Sequence, residues 1–263
     1  MNSLMQKVFR RTILIGWTVL LCSSGSITFG ESGEKEKPDF INKADSIIVS
    51  TSGKETVNAL LKEGWEIVSN PQNVNQISTM SLPGCGKVEN QPVLKHYDYT
   101  TNRWVYLIHA TWNFICSEWD DGSGNAWDIL AMAVVDQNNL AVNAQAEYTQ
   151  IYVYDEEGDS YPARGAVSTF NAAGVGYTIA DEDGVFDNPG IKGEAWFYIQ
   201  KPTSGTSYYV RSQWTHTWNR KPVTLTGINI GYQPPMGFSV GITWKNNPPQ
   251  SWTASDQDYI TFP

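Results

Sequence analysis

The chain has 263 residues, of which 18 are basic and 27 acidic, giving a formal charge of −9, and 13% are aromatic. No run of Lys or Arg supplies the basic footprint that binding to a phosphate backbone requires, so nucleic acid is excluded as a partner. The acidic balance instead favours solubility and repulsion from anionic lipid, and offers oxygen ligands to hard cations.

Residues 1–30 have the order of a removable export signal. Lys7, Arg10 and Arg11 come first, then an apolar stretch from Thr12 to Cys22, then Ser23-Ser24-Gly25-Ser26. That apolar stretch is about half of the ~20 residues a spanning helix needs, and nothing later is apolar for long enough, so a protein that does not span a membrane is expected. Cleavage after Gly30 satisfies the small-residue rule with Thr28, and Ser24/Ser26 offer an earlier site. A lipidated Cys22 fits less well, because bulky Leu21 precedes it. Removing 30 of 263 residues leaves 233, with 15 basic against 27 acidic and a charge of −12. The expected location is extracellular.

A disordered spacer over 31–44 follows, rich in Glu, Lys, Gly and Ser, and then one domain over 45–263. Its single expected helix runs Lys54 to Trp65, with Val57, Leu60 and Leu61 at helical spacing, Ser52 as cap and Gly64 as stop. Trp65 to Val68 reads as extended. Arg103 to Ile115 alternates, placing Trp104, Tyr106, Ile108, Ala110, Trp112 and Phe114 on one face. Further strands are expected at 129–135, 140–154, 166–171, 176–180, 195–200, 207–218, 224–230, 238–244 and 258–262, separated by Asp-, Asn-, Gly- and Pro-rich turns. Short strands without intervening helices predict an all-β antiparallel sandwich of jelly-roll or Greek-key type, with a β-barrel as the alternative. The run Trp214 to Trp218, followed by the stretch 227–244, resembles small β-rich exoproteins of Gram-positive bacteria, a likeness that carries no activity and no site.

Five groups of residues invite a functional reading. Cys85 and Cys116 survive cleavage and predict one disulfide, closing a loop of about thirty residues. Asp181, Asp183 and Asp187, and separately Asp121, Ser123, Asn125 and Asp128, set oxygen ligands at alternate positions around glycines, as a calcium site requires. Hairpin turns use the same residue types. Alternation in 207–218 puts Tyr208, Trp214, His216 and Trp218 on one face, a row that could stack on sugar rings or fill a core. Glu194 and Glu147 are the acids that a polysaccharide-cleaving enzyme would use first. The histidines, His96, His109 and His216, have no close ligand spacing.

The leading expectation is therefore a secreted, non-catalytic protein that binds a glycan or another cell-surface component and is steadied by calcium. The alternatives are an extracellular glycoside hydrolase, and a secreted pore-forming or toxin-like protein with an amphipathic hairpin within Leu140 to Tyr154.

Overall fold

The computed structural model describes residues 36–51, 53–68, 86–114, 127–136, 146–154, 160–162, 167–171, 174–180, 192–200, 207–218, 225–233, 237–244 and 250–262. The export segment, Cys85, Cys116, Asp121, Ser123, Asn125, Asp181, Asp183 and Asp187 lie outside these residues, as does the side chain of Trp218.

Two helices, not one, begin the fold: α1 (Asp39–Ser50) and α2 (Lys54–Lys62). The expected spacer over 31–44 therefore gives way to helix at Asp39. The reason is present in the sequence: Ile41, Ala44 and Ile48 fall at helical spacing and are buried, while Asn42, Lys43 and Ser46 are exposed. The second helix starts as expected but ends at Lys62, and Gly64 takes φ +86°, a conformation that favours glycine just past a helix end.

The strands are β1 (Glu66–Ile67), β2 (Gly86–Asn90), β3 (Leu94–Asp98), β4 (Arg103–Phe114), β5 (Trp127–Asp136), β6 (Ala146–Tyr154), β7 (Ser160–Pro162), β8 (Val167–Asn171), β9 (Gly174–Ala180), β10 (Lys192–Gln200), β11 (Ser207–Trp218), β12 (Leu225–Gln233), β13 (Gly237–Trp244) and β14 (Gln250–Thr261). Sheet A has seven strands in the order β1-β3-β4-β10-β6-β7, with β2 also on β4; sheet B has five, in the order β14-β11-β5-β9-β8; β12 and β13 form a two-stranded sheet of their own. Every pairing is antiparallel. The chain crosses repeatedly between two open sheets, so the fold is an all-β sandwich and not a closed barrel.

One core lies between the sheets. Tyr106, Ile108, Ala110, Trp112, Phe197 and Ile199 of sheet A meet Leu130, Met132, Tyr177, Val210, Trp214 and Ile260 of sheet B. Trp112 lies 4.8 Å from Trp214, and the close approach of its ring leaves room for nothing larger than glycine at position 193, where a Cβ would stand 2.2 Å from Trp112 Cζ2. A second core forms on the other face of sheet A, where Ile41, Ile48, Leu60 and Trp65 cover Leu94, Val105, Leu107, Trp196 and Tyr198. The helices are pinned there by Asp45, which accepts hydrogen bonds from Trp196 Nε1 and Tyr198 OH, both at 2.7 Å. Burial and the neighbouring Asp45 charge raise the Tyr198 hydroxyl well above its ordinary pKa, so it stays protonated and donates. Helix cover explains why both faces of β4 are apolar over Val105 to Ile108.

Candidate functional site

The helices cover only part of the outer face of sheet A, and where they stop the face turns polar. Residues directly opposite in an antiparallel ladder share a face, so the register defines three rows. His109 stands beside Trp196 and Gln150; Glu89 stands beside Thr111, then Glu194, then Tyr152; Lys87 stands beside Asn113, then Lys192. The last two rows except Tyr152, together with Gly53 and Lys54 at the start of α2, line a cleft of about 420 Å³. Asn90, Trp112 and Gly193, from the other face of sheet A, and Asp256 and Asp258 of β14, the edge strand of sheet B, line it as well.

The cleft is bonded from its floor upward. Glu194 and His109 are both buried, and His109 Nε2 meets Glu194 Oε2 at 2.8 Å. The other carboxylate oxygen of Glu194 has no hydrogen-bond partner among the described residues, and the hydroxyl of Tyr154 has none either. Lys87 pairs with Glu89, and Lys192 Nζ sits 5.7 Å from the centre of the Tyr154 ring. Asn90 joins the two sheets at the side of the cleft: its backbone N–H donates to Asp256 at 2.8 Å, its side-chain nitrogen donates to Val210 O at 3.3 Å, and its side-chain oxygen accepts from Ser212. Burial, then the charge of Asp256, push the Asp258 carboxyl up to about 7, against a hydrogen bond from Asn90 that lowers it.

The residues expected from the sequence fare differently. Tyr208 and Trp214 lie in the core between the sheets, Tyr208 against Phe262 at 5.3 Å and Trp214 against Trp112 and Phe114. Inward-facing rings cannot present themselves to a sugar, so Tyr208 and Trp214 are packing residues. His216 is buried with Asp128, its Nδ1 at 3.0 Å from the carboxylate, and Asp128 also accepts the Thr217 N–H at 3.0 Å. Asp128 thus serves a buried pair instead of a surface turn. Among the described residues no cluster of three His, Cys, Asp or Glu could hold a metal ion.

Glu147 and Glu194 do not form a pair. Glu147 stands opposite Tyr198 and Glu194 opposite Tyr152, four residues apart on β10, or roughly 13 Å. Glu147 is engaged instead with Arg103 at 3.5 Å and Gln200 at 2.8 Å. The signal that would have found the cleft is the long-range register of β2 and β10 on β4, together with Asn90 and Asp258, which no local pattern marks.

A second feature stands outside both sheets. The register of β12 on β13 sets Ile228, Ile230 and Tyr232 opposite Ile242, Val240 and Phe238, and sets Gly227, Asn229 and Gly231 opposite Thr243, Gly241 and Ser239. One face of this hairpin thus collects the apolar residues and the other the small and polar ones. No charged residue occurs from 222 to 244, whereas Arg220, Lys221 and Lys245 flank the run. Of the hairpin expected within 140–154, residues 140–145 lie outside the described residues, and Ala146–Tyr154 form β6, which is paired on both sides inside sheet A. No helix among the described residues is long and apolar enough to cross a membrane.

No protein-family model matches the chain, and no curated protein matches it. Solved structures similar to it include one described as a pore forming protein, at 9% identity and TM-score 0.35 over 69% of this chain and 95% of that one. Another concerns pH-induced modulation of Streptococcus parasanguinis adhesion by Fap1 fimbriae, at 9% identity and TM-score 0.29 over 72% and 94%. A third is the Clostridium perfringens NetB toxin in the membrane inserted form, at 7% identity and TM-score 0.32 over 67% and 95%. Likenesses of this size carry nothing about function.

Proposed function

We propose that the protein is an exported, membrane-active β protein whose hairpin β12–β13 enters a lipid bilayer, with hairpins from several copies closing a barrel. The observation that carries this reading is the separation of apolar from small polar residues across the hairpin register, over a stretch free of charge. Strands of spanning barrels alternate in this way, apolar toward lipid and polar toward the lumen. The two strands have nine and eight residues, close to the ~9–11 that cross a bilayer at a tilt. The intervening sequence, Pro234-Pro235-Met236, has no charge to carry across, and Arg220, Lys221 and Lys245, which flank the run in sequence, suit the headgroup region. Because a lone hairpin would leave both its edges unbonded in hydrocarbon, association of copies is part of the proposal.

Dye release from phosphatidylcholine vesicles, with and without phosphatidylserine, tests it. Release is expected from the processed chain. Ile230→Lys, on the apolar face, should abolish release, since a lysine facing lipid at mid-depth costs about 2–4 kcal/mol per copy. Asn229→Lys, on the other face, should retain it. Vesicles that stay intact at high protein concentration, or equal effects of the two substitutions, would reject the reading.

A further inference from the structure

We infer that the cleft lined by Glu194 and Tyr154 of sheet A is a saccharide-binding site, in which these two residues hold the hydroxyl groups of a neutral sugar. The cleft and the hairpin lie on different elements, so this inference stands apart from the membrane reading.

The strongest sign of a ligand is a carboxylate oxygen without a donor. Glu194 is 2% exposed, lines the cleft, and has one oxygen occupied by His109 while the other has no partner among the described residues. Such an oxygen is unfavourable unless something donates to it. Nearby in the same wall, beside Lys192, the Tyr154 hydroxyl is likewise buried and without a partner among the described residues. One group accepts and the other can both donate and accept, so together they call for a ligand that has both kinds of polar atom.

Charge narrows the class. A cationic ligand would meet Lys54, Lys87 and Lys192, and an anionic one would meet Glu194, Asp256 and Asp258, all of which line the cleft. A neutral ligand with several hydroxyls avoids both repulsions and can use Gln91, Thr111 and Asn113 as further partners. The volume, about 420 Å³, falls within the ~300–1,000 Å³ of ordinary ligand pockets and admits one or two sugar rings.

The test uses the processed chain on a glycan array, followed by calorimetry with each free sugar that binds. Binding of at least one neutral glycan is expected. For that sugar, Glu194→Gln should raise Kd about tenfold and Tyr154→Phe by about fivefold, as expected for loss of one hydrogen bond to a charged and a neutral group. Ile230→Lys should leave Kd unchanged, which separates the cleft from the hairpin. Tyr154→Phe keeps the ring and decides the matter if Glu194→Gln fails to fold. The inference is overturned if no glycan binds above background, or if both folded variants keep the parent affinity.

Discussion

Asp258 should make the fold less stable as pH rises through neutrality, and Asp258→Asn should remove that dependence. The side chain is 4% exposed on β14 and faces Asp256 two residues along the same strand face. From β2, Asn90 supplies its one opposing hydrogen bond, and Glu89 and Lys87 line the same cleft. Its carboxyl is pushed from 3.8 up to about 7. Between those values the folded chain keeps a proton that the unfolded chain has released, so stability falls with each added pH unit and levels off above about pH 7. The limiting slope is about 1.4 kcal/mol per pH unit for one group. Solvent in the cleft screens part of the repulsion between the two aspartates, leaving roughly 1–2 kcal/mol between pH 5 and pH 8. Urea melts at pH 5, 6, 7 and 8, at fixed ionic strength, would read this directly. The advantage of Asp258→Asn over the parent chain should grow across that range. A difference that stays constant, or shrinks as pH rises, would refute the assignment.

Three further outcomes follow from the packing. Gly193→Ala should lower stability by about 1–3 kcal/mol in urea melts and disturb near-ultraviolet dichroism, because the new methyl meets Trp112 on one side and Tyr152 O, at 2.4 Å, on the other. Asp45→Ala should cost about 2–4 kcal/mol, since it strands the buried Trp196 and Tyr198 donors together; faster proteolysis within 39–62 would show that the helices have come loose. His216→Ala should destabilise more than Gln213→Ala in the same strand, because the first leaves Asp128 buried and the second removes only a half-buried side chain.

How much of this was legible in the sequence depended on where each signal is stored. The alternation of β4 and β11 is local, so both strands could be read to within a residue or two. The meaning of that alternation is not local. Tyr208 and Trp214 have the same spacing whether their face meets solvent or another sheet, and only the partner sheet decides. The strands β2 and β3 have few apolar residues, Val88 and Leu94 among them, and become strands by pairing with β4. The first helix was legible in principle, since Ile41, Ala44 and Ile48 carry the period, but the surrounding Glu, Lys and Ser matched a spacer more strongly. Glu194 could be picked out as an acid at the head of an aromatic strand, but its partner His109 lies 85 residues earlier. Asp256 and Asp258 come from the last strand of the fold.

The hairpin also separates the two ways in which a strand pair can belong to a fold. Sheet strands β4, β10, β11 and β5 are each bonded on both sides, so moving any of them would break ladders. Strands β12 and β13 are bonded to each other and, among the described residues, to neither sheet. The backbone of β12 passes near β8, β9 and β5. Leaving that position would break no ladder among the described residues, and edges without a strand partner among them are what neighbouring copies would need to close a barrel. A two-stranded sheet of this size is marginal by itself in water. Amide hydrogen exchange should therefore be fast in 225–244 and slow in β4, β10 and β11 for the protein in solution. On phosphatidylcholine vesicles the protection of 225–244 should rise to the level of the sheets. If the hairpin is already as protected as β11 in solution, it is an integral part of the sandwich and the membrane reading falls.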